Sequence, residues 1–283
     1  EVTIRLQRAF LSVTMAGNAD PHARADYDAC EQLVQEHSAG PELVDTLVSL
    51  WGYYTALGSL VRSDELLDEI RATGVCDDPV YDAQNHGAKG LVAFLRGDFT
   101  FASRCFAAAD AVRPPGVIEQ TEPSRWQFPN DPIAVEDAFR GVLAWQLGDD
   151  DAARRHLRNA RHRAELLPFP HGAFSLCYVL HYGVWVDIEN GDFDRARRSV
   201  DELIGLATRH GFDFWSVSAA MLSSTLKACV ELARPRPDVT VLRAENDQQS
   251  ALRSVITMID SQAFVPFGLT RQALVIDVID GHE

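Results

Sequence analysis

Residues 90–114, GLVAFLRGDFTFASRCFAAADAVRP, carry the spacing that decides the fold of this chain. Small residues stand at positions where two helices would pack closely. One aromatic residue stands where a large side chain would fill the space between them. The positions are Gly90, Gly97, Ala102, Phe106, Ala109 and Pro114. Gly97 marks the turn, because glycine adopts a positive φ without a steric penalty. The stretch therefore predicts two antiparallel helices, about 80–96 and 98–113, joined by a tight turn.

The same spacing returns elsewhere in the chain. It is clear at Gly141, Gly148, Ala153, Leu157 and Ala160, and fainter at Gly191, Ala196, Val200 and Leu203 and at Gly58, Ser63, Leu67 and Ile70. A supersecondary unit that repeats along a chain indicates a solenoid of stacked units. Helical periodicity dominates the rest of the chain, and only the last apolar stretch, Leu274 to Ile279, reads equally as helix or strand.

The order of small and aromatic residues resembles the tetratricopeptide repeat, or TPR. The usual TPR period is about 34 residues, whereas the turn glycines Gly58, Gly97, Gly148 and Gly191 are 39, 51 and 43 residues apart. The helices are therefore longer than in the ideal repeat, and one interval holds an insertion. The resemblance implies an all-α fold in which antiparallel helix pairs stack into a right-handed TPR-like superhelix.

A wider resemblance covers most of residues 1–234. Its matching stretches are residues 51–54 (WGYY), 97–99 (GDF), 130–132 (NDP) and 206–212 (LATRHGF). They are similar to the TPR-like region of large bacterial, particularly actinobacterial, regulators. Those proteins combine such a region with a signal-transduction ATPase and either a class III nucleotide (adenylate) cyclase domain or a LuxR-type DNA-binding domain. The resemblance implies a role in signal transduction or transcriptional regulation. It also implies that cyclase or ATPase activity would belong to other parts of a longer protein.

Two breaks divide the chain. Prolines and a Pro-Gly pair exclude a regular helix from residues 114–131, which form a Pro-rich insertion with Trp126 and Phe128 as its large aromatics. The Arg-Pro-Arg-Pro stretch 234–237 is a linker or long turn. We therefore expect a helical array over residues 1–234 and C-terminal capping helices of the same array over residues 235–283.

Composition limits the classes of function. Lys and Arg total 26 against 41 Asp and Glu, for a formal net charge of −15, so direct nucleic-acid binding by this chain is not expected. The bases are almost all Arg, which is typical of a high-GC genome. The five cysteines show no CxxC or Cys/His ligand spacing, and no apolar run is long enough to cross a membrane. These features predict a cytoplasmic protein with reduced thiols and no membrane association.

No catalytic motif is found, so we predict no enzymatic activity for this chain, no catalytic or metal-binding residue and no cofactor. The acids at 149–151 follow a turn glycine and are interpreted as helix-capping residues. Five arginines, Arg154, Arg155, Arg158, Arg161 and Arg163, make one helix basic. They indicate either a solvated outer face, which we favour, or a patch that binds an anion or an acidic partner.

The predicted binding surface lies on the first helix of each pair, which lines the concave side of a TPR-like stack. Register with the turn glycines places ten residues on that side: Gln84, Leu91, Phe94, Val142, Trp145, Gln146, Tyr178, His181, Trp185 and Glu189. An aromatic floor with few polar groups is typical of a recognition groove. We therefore expect a regulatory domain that binds a protein, a peptide or neighbouring domains of its own chain. The alternative is a domain that binds a small effector molecule in a pocket on the concave face.

Overall fold

The fold is described from a computed structural model, which covers residues 1–16, 20–37, 41–117, 119–120, 128–258 and 265–281. Over these ranges the chain is all-α: it forms α-helices and one short 3-10 turn, and no strand. The helices are α1 (Val2–Ala16), α2 (Pro21–His37), α3 (Pro41–Ala56), α4 (Leu60–Ala72), α5 (Pro79–Leu95), α6 (Phe99–Val112), α7 (Pro132–Gln146), α8 (Asp150–Leu166), α9 (His171–Glu189), α10 (Phe193–His210), α11 (Asp213–Leu232), α12 (Val239–Met258) and α13 (Val265–Asp280), with the 3-10 turn at Val75–Asp77. The apolar stretch near the C-terminus is therefore helical.

Tight glycine turns join the paired helices. Gly97, Gly148 and Gly191 all have φ between 72° and 83°, a backbone conformation that other residues adopt only with strain. The aspartate after each of them caps the next helix; the Asp98 side chain, for example, accepts a hydrogen bond from the Phe101 amide at 2.9 Å. The caps at Asp149 and Asp192 follow the same pattern. The sequence prediction of hairpins at these glycines and of capping by Asp149 is confirmed.

Small residues let the two helices of a hairpin approach closely. A Cβ atom added at Gly90 would lie 2.5 Å from the Phe106 ring, and one added at Gly141 would lie 2.8 Å from Leu157 Cγ. The six positions at which the spacing predicts buried helix contacts are all buried: Gly90, Ala102, Ala109, Gly141, Ala153 and Ala160. The predicted burial is therefore confirmed, and each glycine makes room for one large side chain of its partner helix.

The first helices of successive pairs form a curved row. Helix α5 contacts α7, α7 contacts α9, and α9 contacts α11. Helix α1 contacts both α3 and α11, and the Phe10 ring of α1 lies 5.2 Å from the His171 ring of α9. The row therefore returns towards its start, and one large apolar core runs through it from Leu6 to Cys229.

The C-terminal helices pack at the end of this row. Helices α12 and α13 contact α11 and each other, and a separate small apolar cluster joins Ala228 of α11 to Leu242, Val275 and Ile279. Helix α12 begins at Val239, directly after the Arg-Pro-Arg-Pro stretch and Asp238. Within the described residues, no helix combines the length and apolar character that crossing a membrane requires.

Candidate functional site

The first candidate site, here called the inner cavity, lies among α3, α5, α7 and α9. Its volume is about 70 Å³ and it is partly open to solvent. The lining residues that the structure describes are Trp51, Gly52, Thr55, Ala56, Gln84, Gly87, Ala88, Leu91, Leu95, Phe128, Asn130, Pro132, Val135, Glu136, Phe139, Tyr178 and Tyr182. Aromatic and aliphatic side chains dominate, with a few polar groups among them. The cavity is therefore lined by the first helices of four pairs and by the segment that precedes α7.

Two glycines shape the wall of the inner cavity. A Cβ atom at Gly52 would lie 2.3 Å from the Phe128 ring, and one at Gly87 would lie 2.4 Å from Glu136 Oε2. Both contacts are far below van der Waals distance, so no other residue fits at either position without movement of its neighbour. Gly52 therefore admits the Phe128 ring, and Gly87 admits a carboxylate directly against the helix.

A buried ion pair holds the segment that carries Phe128 and Asn130 in place. Asp131 receives hydrogen bonds from Arg163 of α8, at 3.1 Å from Nε and 2.9 Å from Nη2. The Asp131 carboxylate also caps α7, accepting from two amides, and its own amide donates to Ser175 Oγ at 2.8 Å. Arg163 additionally donates to the Gln120 carbonyl. Because both members of the pair are almost fully buried, they fix residues 128–131 against α8 and α9.

This pair corrects the interpretation of the basic helix as a wholly solvated face. Arg163 is 1% exposed, and its guanidinium is used inside the fold. Arg161 forms ion pairs with Glu165 and Glu202. Of the five arginines, then, one is a structural buried residue, and spacing along the helix did not distinguish it from its neighbours.

Glu136 is the buried acid of the inner cavity. Its carboxylate accepts from Arg113 Nη2 at 2.8 and 2.7 Å and lies 2.6 Å from Arg140 Nη2. Arg140 also pairs with Asp110 at the surface, at 2.6 Å. Burial raises the pKa of Glu136, while the two arginines oppose that rise. The cavity wall thus holds a buried acid whose negative charge is balanced by Arg113 and Arg140.

Several other polar groups of the wall have internal partners. Thr55 Oγ1 donates to Ser63 Oγ at 3.1 Å. Burial raises the pKa of Tyr178 and Tyr182, whose hydroxyls are hydrogen-bonded to each other. Asn130 is 4% exposed, and its Nδ2 atom has no hydrogen-bond partner among the described residues. That amide therefore retains unused bonding capacity at the cavity wall.

The second candidate site, here called the outer cleft, lies between α7, α9 and α13. Its volume is about 470 Å³, and its described lining residues are Val142, Trp145, Gln146, Trp185, Val186, Glu189, Thr270, Arg271 and Leu274. Arg271 of α13 forms an ion pair with Glu189 of α9, with Nε donating to Oε1 at 2.6 Å. The Trp145 indole donates to Asn190 Oδ1 at 3.0 Å. The C-terminal helix therefore supplies one wall of this cleft.

The ten residues predicted to form one groove lie in three places. Gln84, Leu91 and Tyr178 line the inner cavity, whereas Val142, Trp145, Gln146, Trp185 and Glu189 line the outer cleft. Phe94 and His181 belong to neither lining and are buried in the core. The structure thus does not bring the ten residues together in a single groove.

His181 illustrates the difference between a groove residue and a core residue. It is 5% exposed and hydrogen-bonded to Ser218 Oγ at 2.7 Å and to the Trp185 indole at 3.3 Å. Burial lowers its pKa from 6.5 to about 3. The ring is therefore neutral at ordinary pH and acts as a hydrogen-bonding core residue.

Sequence reasoning missed Glu136, Asn130 and the two cavity glycines. Asn130 appeared only within the matching stretch 130–132, and Glu136 was not singled out among the acids. Phe128, one of the two large aromatics of the Pro-rich insertion, packs against Gly52; the other, Trp126, lies outside the described residues. Across the residues that the structure does describe, no three His, Cys, Asp or Glu side chains converge as metal ligands would.

The chain was compared with family models, with curated proteins and with solved structures, and none of the three comparisons gives a match. The candidate sites therefore rest on geometry and chemistry alone.

Proposed function

We propose that this chain is a non-enzymatic regulatory domain that binds a small effector molecule in the inner cavity. The observation that carries the proposal is the cavity itself, a partly enclosed space with aromatic walls and a few polar groups. Small-molecule sites in proteins have this composition, with apolar walls for affinity and sparse polar groups for orientation. An extended peptide would instead need an open channel along the row of helices.

The proposal also covers the arrangement of the helices and the larger protein to which they would belong. Residues 1–234 would form a right-handed TPR-like superhelix, with residues 235–283 as its cap. The recurrent glycine turns, aspartate caps and hairpin contacts of the paired helices support this arrangement. The resemblance to actinobacterial regulators supports a cytoplasmic signalling protein, in which an ATPase domain and a cyclase or DNA-binding domain flank this one.

The position of the inner cavity suggests how binding would act on neighbouring domains. Its walls come from four consecutive helix pairs, so a ligand there touches all of them at once. A ligand that fits one curvature of the row better than another shifts the population towards that curvature. Only such differential affinity transmits a signal, and flanking domains attached to the ends of the row would sense the change.

Xenon tests whether the inner cavity accepts a small molecule, because this neutral atom occupies apolar cavities of modest size. The probe is xenon gas applied under pressure, and the readout is the NMR signal of the Ala56 methyl group. We expect xenon to shift that signal in the parent chain. Ala88→Leu, which fills the cavity, should abolish the shift, and the matched control Ala107→Leu on an exposed position of α6 should preserve it. An unshifted parent signal, or an equal shift in Ala88→Leu, would contradict the proposal.

The outer cleft supports a second candidate function, the binding of a peptide or protein segment. Trp145 and Trp185 share this larger, more open space with Gln146, Glu189 and Arg271. Large aromatic side chains with an arginine at the edge are frequent anchors of protein interfaces. Selection from a random linear peptide display library tests it. Enriched peptides should lose binding to Trp145→Ala and keep it on Ala88→Leu; failure to enrich any peptide with this pattern would count against the second function.

A further inference from the structure

The inner cavity offers an unused hydrogen-bond donor. Asn130 lines the cavity and is 4% exposed, and its Nδ2 atom has no partner among the described residues. Buried polar side-chain atoms nearly always have a partner, and an exception calls for an explanation such as a ligand. The backbone beside it is anchored, since the neighbouring Asp131 is held by Arg163 and Ser175. A ligand that places an acceptor at this amide would satisfy it.

The same cavity offers a hydrogen-bond acceptor. A carboxylate has about four acceptor sites, and the contacts from Arg113 and Arg140 occupy three of them on Glu136. Oε1 receives two of these contacts and Oε2 one. Oε2 is also the oxygen that lies against Gly87 in the cavity wall. A ligand that places an N–H or O–H group beside Oε2 would use the remaining site.

The net charge around the cavity decides which ligands can bind both the Asn130 amide and the Glu136 carboxylate. Glu136 and Asp110 offset Arg113 and Arg140, so the cluster carries no net charge. The described lining contains no Lys, Arg or His side chain that could pair with an anion. An anion would lose its hydration on entry without meeting a cationic side chain of the described lining, and a cation would meet a carboxylate whose charge Arg113 and Arg140 already balance. Loss of hydration without a compensating charge is costly. A neutral group avoids this cost.

We infer that the inner cavity recognises a small neutral polar group, an amide or an equivalent that both donates and accepts, whether as a whole molecule or as the end of a larger effector. The acceptor of that group faces the Asn130 amide and its donor faces Glu136. The aromatic side chains of the cavity wall enclose the apolar part of the ligand. This inference rests on the proposed function, because it assigns a ligand class to the same cavity.

Three molecules of equal size and different charge test the inference. Propionamide, propionate and propionamidinium share one heavy-atom skeleton, and their dissociation constants can be measured on the full chain by NMR titration of the Ala56 methyl signal. We expect propionamide to bind at least about tenfold more tightly than either ion. Asn130→Ala should weaken propionamide binding about three- to tenfold, the loss typical of one hydrogen bond. The matched control Asn190→Ala, at the outer cleft, should leave it unchanged.

The outcomes separate the ligand class from the proposed function. Stronger binding of propionate or propionamidinium, or equal binding of propionamide to the parent and to Asn130→Ala, overturns the neutral-group inference. If xenon shifts the Ala56 signal while propionamide does not bind, the class is wrong and the cavity site stands. If neither xenon nor any of the three molecules binds, the proposed function and the inference both fail.

Discussion

Replacing Gly90 by alanine should destabilise the chain, although alanine is the better helix former. In a helix interior the change by itself gains up to about 1 kcal/mol. The new Cβ atom, however, would lie 2.5, 2.7 and 3.0 Å from three atoms of the Phe106 ring. Phe106 is 3% exposed, so its ring lies within the core, and overpacking of this kind costs roughly 1–3 kcal/mol. A gain of about 0.5–1 kcal/mol set against this cost leaves an expected net loss in the free energy of unfolding of about 0–2.5 kcal/mol.

Gly205→Ala is the matched control, because the same chemical change meets nothing within 4 Å there. That variant should gain about 0.5–1 kcal/mol. Urea unfolding followed by circular dichroism measures both, and the two variants should differ by about 1–3 kcal/mol. Adding Phe106→Leu to Gly90→Ala should recover part of the loss, since the two side chains are in contact. Equal stability of Gly90→Ala and Gly205→Ala would refute the account of how the hairpins pack.

Three further outcomes are expected. Ala153→Leu, at a fully buried hairpin contact, should cost roughly 1–3 kcal/mol or more in urea unfolding, and a variant as stable as the parent would be inconsistent with that packing. Arg163→Met should cost about 3–5 kcal/mol, because it leaves the buried Asp131 carboxylate without its partner; a loss well under 1 kcal/mol would contradict it. The low pKa of His181, about 3 in the fold against 6.5 when unfolded, means that the unfolded chain binds the extra proton. Stability from this residue is fully present above about pH 6.5 and falls by about 1.4 kcal/mol per pH unit as the pH drops towards 3. His181→Gln should flatten the dependence of the urea midpoint between pH 7 and pH 5, and an unchanged slope would show that His181 does not cause it.

The hairpins were predictable because their signals are local. A turn glycine, an aspartate cap and small residues at fixed offsets from Gly97 act within one pair of helices, and the structure repeats that pattern at Gly148 and Gly191. The contact of α1 with α11 was not predictable in the same way. It joins two helices that are far apart in the sequence, and no short stretch of residues encodes such a contact.

The candidate sites were predictable only in part. Register with the turn glycines placed Gln84, Leu91 and Tyr178 on the face that lines the inner cavity. It did not reveal that α13 would supply a wall beside Trp145, nor that Glu136 would meet an arginine 23 positions away. Those contacts join distant parts of the chain, and the sequence marks them with no distinctive spacing.

The central claim is that the inner cavity is a binding site for a small neutral ligand. A crystal structure of the chain grown or soaked with propionamide tests it most directly. The account predicts electron density for the amide inside the cavity, with its oxygen within hydrogen-bond distance of Asn130 Nδ2 and its nitrogen near Glu136 Oε2. Density for propionamide only elsewhere, or a cavity that holds solvent alone at a saturating concentration, would contradict it.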